Sequence, residues 1–285
     1  MSYACHFPSL LWKPVIQAAL FEDLGQGGDV TTQVLAMPGQ KMRAVFCARH
    51  QGVVAGLAGA QQAFALLDEQ VHFRVFKQDG DMLAIGDVLA EVEGDALTVL
   101  AGERTALNIL SHLSGIASQT RQMVDAVSGT KAVICCTRKT LPGLRALQKY
   151  AVKAGGGGNH RFRLDDAILI KDNHLALCGG QVDVALQRAR ARAGHLMKIE
   201  LEVDTLEQLE AALACGGADA YLLDNMDTDT LRKAVGMING MAIAEASGGI
   251  TQETVRAVAE TGVDVISAGW LTHSVKALDI GLDYI

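Results

Sequence analysis

The sequence predicts an α/β protein, in which a small N-terminal domain of strands and helices precedes a parallel β/α barrel. The main observation is the regular rhythm after Gly129, where six short apolar runs alternate with five helical patterns. Continuous apolar runs separated by helices are typical of parallel strands that are buried on both faces. So many repeats favour a barrel over an open sheet. Before residue 100 the pattern differs, because short β-type runs are broken by glycines and surround one helical segment.

Composition places the chain among globular proteins. Of its 285 residues, 49% are hydrophobic and 20% are charged, which supplies enough apolar material for a core. The formal net charge of −7 argues against a general affinity for nucleic acid or for acidic membrane surfaces. No segment reaches the ~18 uncharged apolar residues of a membrane span, and no signal peptide is visible. The six cysteines form no disulfide or zinc-finger pattern, so we expect reduced thiols in a cytoplasmic protein.

The N-terminal elements follow from local patterns. Residues 14–24 place apolar side chains on one face of a helix, and Gly25 follows as its C-terminal cap. The glycine and aspartate spacing within 79–92 resembles biotinyl and lipoyl carrier modules, but no lysine stands at the hairpin tip. Residues 27–32 are predicted to form a turn that runs into a strand. Residues 43–54 and 71–99 are predicted to be β-type regions, and one helix is predicted at residues 58–67.

A long helix is predicted over residues 103–127, because its apolar residues repeat every 3.6 positions. Gly115 weakens the middle of this helix without ending it. The tail, residues 274–285, is predicted to return to the first domain. The predicted barrel strands are 132–136, 167–170, 199–203, 220–223, 242–245 and 265–268. The predicted barrel helices are 143–154, 182–193, 206–215, 228–237 and 252–261.

The carboxyl ends of barrel strands are where functional side chains gather. In this chain they carry cationic groups, carboxylates and glycine-rich turns. Each feature taken singly fits a surface ion pair, a helix cap or a plain turn. The candidate residues at these ends, in chain order, are Thr137, Arg138, Lys139, His160, Arg161, Lys171, Glu202, Asp224, Ser247, Gly248, Gly249, Ala268 and Gly269.

Taken together, these residues predict a site for a polyanion. The cationic or titratable members would repel one another unless an anion lay among them. The turns at 247–249 and 268–269 stand where β/α barrels bind phosphate through backbone N–H groups. Glu202 and Asp224 add two carboxylates. The combination suits a phosphorylated sugar with Mg²⁺ and an anionic co-substrate.

A series of ordered motifs resembles the quinolinate phosphoribosyltransferase family. The similarity extends from about Leu20 to the C-terminus and is more specific than any single short pattern. The similar stretches are ERTALN at 103–108, TRKTLPGLR at 137–145, KYAV at 149–152, GGGNHR at 156–161, LIKDNH at 169–174, LDNM at 223–226, ASGGI at 246–250 and LTHS at 271–274.

The resemblance implies an N-terminal α/β sandwich domain at residues 1–108, rejoined by 272–285, and an incomplete, TIM-like α/β barrel at 109–271. It implies transfer of phosphoribosyl from phosphoribosyl pyrophosphate to quinolinate with decarboxylation, a step of de novo NAD biosynthesis. Mg²⁺ would accompany phosphoribosyl pyrophosphate, and no organic cofactor is implied. The family assembles as homodimers or larger, and the sandwich domain of one subunit caps the barrel of another. Arg104 would then reach the neighbouring subunit's site.

The residue roles of the family carry over onto matching positions. The carboxylates of quinolinate would be held by cationic side chains, namely Arg104, Arg138, His160, Arg161 and Lys171. Lys139 and Lys171 would also face pyrophosphate, and Thr137 would contact substrate. Glu202 and Asp224 would bind ribose hydroxyls directly or through Mg²⁺, so these two carboxylates and the two lysines are the candidate catalytic residues. The 5′-phosphate would lie against Ser247, Gly248, Gly249, Ala268 and Gly269.

One position departs from the family pattern. The family usually has an aspartate before Thr-Arg-Lys-Thr, where this chain has Cys136. A molybdenum-associated group of relatives also has cysteine there, so action on another aromatic acid stays open as an alternative. Those relatives lack the Ile-Lys-Asp-Asn-His run and the asparagine before His-Arg, both of which are present here. We therefore expect Cys136 to be a tolerated change in the core or close to the site.

Two further hypotheses come from other classes of protein. Lys171 at a strand end beside a phosphate site would also fit a Schiff-base aldolase. Its many cationic neighbours suit polyanion binding better. A non-catalytic carrier or sensor built on the N-terminal segment is disfavoured, because the lysine for a prosthetic group is missing.

Overall fold

The computed structural model describes residues 7–285. Cys5, which was predicted to be a reduced thiol, and the first six residues of the predicted domain 1–108 lie outside this range. No helix among the described residues combines the length and apolar character needed to cross a membrane. The elements up to residue 126 are α1 (Ser9–Leu24), α2 (Val30–Leu35), β1 (Lys41–Ala48), β2 (Gly52–Val53), α3 (Leu57–Ala65), β3 (His72–Val75), β4 (Met82–Leu83), β5 (Val88–Asp95) and α4 (Ala96–Ala126).

The remainder of the chain alternates strands with helices. Its elements are β6 (Val133–Cys136), α5 (Arg145–Ala154), β7 (Gly158–Asn159), β8 (Ile168–Ile170), α6 (Asp172–Ala176), α7 (Val182–Arg192), β9 (Ile199–Val203), α8 (Leu206–Cys215), β10 (Ala220–Asp224), α9 (Thr228–Ile238), β11 (Ile243–Ser247), α10 (Val255–Ala259), β12 (Val265–Ser267), α11 (Trp270–His273) and β13 (Ile280–Tyr284).

The first compact unit contains the described residues up to Arg121 together with 140–156 and Leu271–Ile285. It is built on an antiparallel four-stranded sheet in the order β13-β1-β5-β3. Three aromatic rings on β1, α3 and β3 lie within about 6 Å of one another and form the centre of its core, namely Phe46, Phe64 and Phe73. The predicted boundary at residue 108 falls inside α4, which crosses it without interruption.

The second compact unit contains residues 122–139 and 157–270. Its seven strands are all parallel and lie in the order β7-β6-β12-β11-β10-β9-β8. Because β7 and β8 are the two edges and do not pair, the sheet is a barrel that stays open on one side. The predicted class, an N-terminal α/β domain followed by an incomplete α/β barrel, is therefore confirmed.

Three local predictions are wrong. Residues 27–32 run into the helix α2 and not into a strand, because the Asp29 carboxylate accepts hydrogen bonds from the N–H groups of Thr31 and Thr32 and caps it. Helix α4 begins at Ala96, before the predicted start at 103, and Asp95 accepts a hydrogen bond from Leu97 N–H at 3.0 Å. The sheet has a seventh strand, β7, where only a glycine-rich loop was expected.

Gly115 in the middle of α4 has a packing role. A Cβ atom at this position would lie 2.3 Å from the carbonyl oxygen of Lys276 and 3.1 Å from Ala277 Cα. The segment that leads to β13 therefore crosses α4 where a side chain is missing, and Leu278 N–H donates to the Ser111 carbonyl at 2.9 Å beside this crossing.

This crossing predicts opposite effects for two helical glycines. Gly115→Ala should lower the free energy of unfolding by about 1–3 kcal/mol, since the new methyl group meets backbone that cannot move aside. Gly236→Ala in α9 has open space around it, so it should raise stability by about 0.5–1 kcal/mol through helix propensity. Urea unfolding followed by circular dichroism measures both. Stabilisation by Gly115→Ala would contradict the crossing.

Candidate active site

The carboxyl ends of the parallel strands surround a cavity of about 520 Å³. Every side chain that lines it belongs to the second compact unit. The lining residues are Thr137, Arg138, Lys139, His160, Arg161, Leu169, Lys171, Glu202, Leu222, Asp224, Asn225, Glu245, Ser247, Gly248, Gly249 and Ser267.

Most of the predicted site residues meet at this cavity. Three do not line it. Arg104 is exposed on α4 and belongs to the first unit. Ala268 and Gly269 follow β12, and Gly269 packs against Lys139, where an added Cβ would lie 2.7 Å from Lys139 Cδ. The other eleven predicted residues, from Thr137 to Gly249 in chain order, are among those that line the cavity.

The register of the sheet brings carboxylates into one row. Leu222 on β10 pairs with Glu202 on β9 and with Glu245 on β11. Asp224 lies two residues further along β10 and pairs with Ser247. Since residues two apart on a strand share a face, one face of this part of the sheet is acidic.

The cationic side chains lie close enough to affect one another. Burial and the neighbouring Arg138 guanidinium both lower the pKa of Arg161, while Glu200 and Asp166 oppose this shift. One end of the Arg161 guanidinium donates to the Ala167 carbonyl at 2.8 Å. Its Nε atom is buried and has no hydrogen-bond partner among the described residues. A buried donor without an acceptor marks a place where a ligand oxygen can bind.

Lys171 stands at the start of α6 and faces the carboxylates. Its backbone N–H donates to His174 Nδ1 at 3.0 Å, which caps the helix and fixes the strand end. Its ammonium group donates to Glu202 Oε2 and forms an ion pair that is part-buried. On the next strand, the Asp224 carboxylate accepts a hydrogen bond from the Asn225 amide at 2.7 Å.

The turn after β11 depends on glycine. Gly248 has φ +94°, and a Cβ atom there would lie 2.2 Å from Asn225 Oδ1 and 2.9 Å from Asn225 N. Asn225 itself has φ +53°, and its N–H donates to the Ser247 carbonyl at 2.9 Å. Gly249 has φ +61° with open space around it. The two turns therefore fit together only because Gly248 lacks a side chain, and backbone with positive φ is exposed toward the cavity.

His160 makes hydrogen bonds through both ring nitrogens. Its Nδ1 accepts from the Arg161 backbone N–H at 2.8 Å, and its Nε2 lies 2.8 Å from Glu200 Oε2. Glu245 Oε1 is 3.9 Å from the same Nε2. Burial and the nearby Glu200 carboxylate raise the pKa of Glu245 to about 7.

Cys136 is fully buried at the end of β6. Its thiol donates to the side-chain oxygen of Asn159 on the paired strand β7, at 3.2 Å. The prediction of a tolerated change within the core or near the site is consistent with this place, since the thiol does not line the cavity. The thiol is a neutral donor that matches the amide oxygen, whereas an aspartate carboxylate would instead accept from the NH2 group of a rotated amide.

Several cavity residues were absent from the predicted set. Asn225 follows Asp224 directly, and its role as the partner of Gly248 depends on a contact between two turns that spacing does not show. Glu245 lines the cavity, and Glu200 lies beside His160 without lining it. Both carried a usable signal, because a carboxylate inside an apolar strand is rarely buried without a partner. The remaining residues that were not predicted are Leu169, Leu222 and Ser267.

Two groups of oxygen donors could hold a divalent cation. Glu202 and Asp224 line the cavity from neighbouring strands and offer carboxylate oxygens, the ligands that Mg²⁺ takes. Their chemistry therefore fits the predicted Mg²⁺. His160, Glu200 and Glu245 also bring one ligand atom each within 4.8 Å of one another. His160 Nε2 already pairs with Glu200 Oε2, and His160 Nδ1 accepts from the Arg161 backbone, whereas Glu245 Oε1 is buried and has no hydrogen-bond partner among the described residues.

Two sequence families together match almost all of the chain. The quinolinate phosphoribosyl transferase N-terminal domain matches residues 29–114, and the C-terminal domain of the same name matches residues 116–283.

Curated relatives match over nearly the full length. A protein of Bacillus subtilis (strain 168), named probable nicotinate-nucleotide pyrophosphorylase (carboxylating), is 48% identical over 271 residues, which cover 95% of this chain and 92% of the relative. A protein of Mycobacterium leprae (strain TN), named nicotinate-nucleotide pyrophosphorylase (carboxylating), is 46% identical over 286 residues, and 98% of each chain is covered.

Solved structures agree with these relatives. The nicotinate-nucleotide pyrophosphorylase of Francisella tularensis superposes with a TM-score of 0.92 at 33% identity, and 99% of each chain is covered. That of Ehrlichia chaffeensis superposes with a TM-score of 0.91 at 43% identity, over 95% of this chain and 98% of the other.

The raised pKa of Glu245 predicts a pH-dependent stability. The pKa in the folded chain, about 7, lies above the ordinary value of 4.5. Glu245 therefore favours folding below about pH 4.5, and this contribution, on the order of 3 kcal/mol, is lost as the pH rises through about 7. Glu245→Gln cannot ionise, so its urea unfolding midpoint should fall less over this range. The exposed substitution Glu210→Gln should leave the pH dependence as it is in the unmodified chain, and an identical profile for Glu245→Gln would contradict the burial argument.

Proposed function

We propose a function from one premise: this chain belongs to the quinolinate phosphoribosyltransferase family. It transfers the phosphoribosyl group of phosphoribosyl pyrophosphate to quinolinate, and decarboxylation then gives nicotinate mononucleotide, CO₂ and pyrophosphate. This is the step by which quinolinate enters de novo NAD biosynthesis. The observation that carries the proposal is a single cavity where cationic side chains, carboxylates and a turn with positive φ meet at the strand ends.

The carboxylates of quinolinate bind to the cationic side of the cavity. Arg138, Arg161 and Lys171 line it, and the buried Nε of Arg161 lacks an acceptor among the described residues. A guanidinium group binds a carboxylate through two parallel N–H donors, which orients the ring as well as holding it. Quinolinate has two adjacent carboxylates, so several cations offset its charge. A monocarboxylate would leave part of the repulsion between these cations in place.

Phosphoribosyl pyrophosphate binds on the side of the glycine turn. Its 5′-phosphate lies against the exposed backbone of 247–249, with Ala268 and Gly269 supporting the neighbouring turn. Lys139 faces the pyrophosphate, and its backbone N–H donates to Thr137 Oγ1 at 3.0 Å, which fixes the loop after β6. Phosphate bound by backbone N–H groups and a lysine is a common arrangement at the ends of barrel strands.

Glu202 and Asp224 face the ribose between the two binding sides. Their carboxylates accept from the ribose hydroxyls and offset the positive charge that develops at the anomeric carbon in the transition state. Mg²⁺ held by Glu202 and Asp224, directly or through water, would neutralise charge on the pyrophosphate leaving group.

The reaction needs positioning more than a protein nucleophile. The pyridine nitrogen attacks the anomeric carbon as the bond to pyrophosphate breaks. The ring nitrogen is then cationic and stabilises the electron pair that remains on C2 when the 2-carboxylate leaves as CO₂, and C2 then takes up a proton. Arg138, Arg161 and Lys171 orient the ring, while Lys139 stabilises the departing pyrophosphate.

The chain works as a homodimer or a larger assembly. Arg104 is exposed on α4, and in a homodimer or larger assembly it completes the quinolinate site of a neighbouring subunit. The reaction takes place in the cytoplasm, in keeping with five described cysteines that form no disulfide with one another.

A Schiff-base aldolase is disfavoured by the state of Lys171. Its ammonium group is ion-paired with Glu202. The nitrogen that would attack a carbonyl substrate is therefore already engaged with a carboxylate, and Arg138 and Arg161 line the same cavity, which suits an anionic ligand.

The decisive measurement is release of labelled CO₂ from quinolinate labelled in its 2-carboxylate. Release should require phosphoribosyl pyrophosphate and Mg²⁺, and nicotinate should give no nucleotide, because it offers only one carboxylate to the cationic side chains. Folded protein that binds phosphoribosyl pyrophosphate but releases no CO₂ would contradict quinolinate as the substrate. It would direct the search to other aromatic acids.

The glycine turn gives a second prediction. Gly248→Ala places a methyl group against Asn225 and should raise the KM for phosphoribosyl pyrophosphate by about tenfold, with the KM for quinolinate changed by less than about twofold. Gly240→Ala is a matched control, because its φ is +73° and no atom lies within 4 Å. It should lower stability by about 1 kcal/mol and leave the kinetics unchanged. Equal changes in both KM values for Gly248→Ala would show that the turn does not bind phosphate selectively.

A further inference from the structure

Asn225 stands in the turn that joins β10 to α9, and its backbone lies in the left-handed region. Within the part of the chain that the structure describes, φ is positive at two residues other than glycine, namely Asn225 at +53° and Asn239 at +45°. Such backbone is unfavourable for a residue with a side chain, although asparagine tolerates it better than most. Asn239 ends α9, where asparagine is common. Asn225 follows a strand, so a helix end does not explain its conformation.

The side-chain amide of Asn225 connects two groups at the cavity. Its Nδ2 donates to Asp224 Oδ2 at 2.7 Å. Its Oδ1 is turned toward Gly248, where an added Cβ atom would lie 2.2 Å from it. The amide has one favourable orientation, because exchanging its oxygen and nitrogen would set an acceptor against the carboxylate. The backbone N–H of the same residue donates to the Ser247 carbonyl at 2.9 Å.

This hydrogen bond determines how Asp224 presents its carboxylate. The last side-chain torsion of an aspartate has a broad range when nothing holds it. The amide of Asn225 occupies Oδ2, whereas Oδ1 accepts no hydrogen bond from any described residue. Because Asp224 lines the cavity, Oδ1 is the oxygen that remains for a ligand hydroxyl.

These contacts contribute little to folding. Asn225 is exposed and Asp224 is half-buried, so water can take the place of each partner. Glycine would also adopt the backbone conformation of Asn225 with less strain. The Asn225 side chain is therefore better explained by the geometry of the cavity than by the stability of the fold.

We propose that Asn225 is a positioning residue for phosphoribosyl pyrophosphate. Its amide holds the Asp224 carboxylate toward the ribose, and its contacts with Ser247 and Gly248 hold the turn that binds the 5′-phosphate. One residue thus sets the spacing between two protein groups that bind the same rigid sugar. This inference rests on the proposed function, because it takes phosphoribosyl pyrophosphate as the donor substrate.

A pair of glycine substitutions separates positioning from backbone effects. Asn225→Gly keeps the left-handed backbone and the N–H that donates to Ser247, but it removes the amide. It should lower kcat/KM for phosphoribosyl pyrophosphate by about tenfold or more, and it should change the KM for quinolinate by less than about twofold. Asn239→Gly is the matched control, since Asn239 has similar φ and does not line the cavity. It should leave both constants unchanged.

Urea unfolding of the same two variants tests for a structural role. The midpoint of Asn225→Gly should fall no further than that of Asn239→Gly, because both changes have the same effect on the backbone. A loss of activity accompanied by a clearly lower midpoint than in the control would assign Asn225 to folding and overturn the proposal.

Asn225→Asp tests whether the donor group matters. This change keeps the size of the side chain and replaces the NH2 group by a charged acceptor that repels Asp224. It should lower kcat/KM for phosphoribosyl pyrophosphate at least as much as Asn225→Gly does. Activity close to that of the unmodified chain would mean that the side chain acts through its size alone, which would overturn the proposal.

The positioning role and the proposed function fail in different ways. If the unmodified chain is active and Asn225→Gly keeps its kinetic constants, only the positioning role fails. If the unmodified chain binds phosphoribosyl pyrophosphate but releases no CO₂ from quinolinate, quinolinate fails as the substrate. Calorimetric titration with phosphoribosyl pyrophosphate and Mg²⁺ then tests Asn225→Gly, whose Kd should be about tenfold higher than that of Asn239→Gly, and equal values would overturn the positioning role. A chain that neither binds nor consumes phosphoribosyl pyrophosphate overturns both.

Discussion

Repulsion between like charges around one cavity is the interaction on which the site depends. The Arg138 guanidinium lies close enough to Arg161 to lower the pKa of the Arg161 side chain, and Lys171 lines the same cavity. The parallel strands hold these groups at their carboxyl ends, so the cations cannot simply move apart. Glu202 neutralises Lys171, and Glu200 lies beside His160 and near Arg161. Arg138 and Arg161 therefore form a cationic side of the cavity, where an anionic ligand would relieve the repulsion between them.

Much of the fold could be predicted from the sequence, because apolar runs and helical stripes report burial directly. Strand β9 and helix α8 have the predicted bounds, since Ile199–Val203 is almost wholly buried and Thr205 caps the helix that follows. Strand β7 could not be predicted, because Gly158–Asn159 is only two residues long and has no apolar side chain. The first turns of α4 were missed because residues 96–101 are nearly all apolar, including the exposed Leu97 and Leu100, so no one-sided stripe marks the start of the helix.

The site was predictable where chemistry resides in a single side chain at a strand end. Arg138, Lys171 and Asp224 each follow a recognisable strand, and parallel strands end at a common edge. The contact of Gly248 with Asn225 joins two separate turns, so no spacing within either turn reveals it. The same holds for Glu245, whose pKa depends on Glu200 two strands away. Pairwise geometry between distant segments is the information that a pattern along the chain lacks.

The segment that crosses α4 at Gly115 leads to the last strand of the chain, and this determines the order in which the two units can be completed. Strand β1 has β5 on one side and β13 on the other, and β13 comes last in the sequence. On the ribosome, β1 therefore remains an unpaired sheet edge while the whole of the second unit is synthesised, on the order of ten seconds. During that interval the second unit can complete its own sheet, because all seven of its strands precede residue 271. The first unit begins the molecule and is the last to be finished.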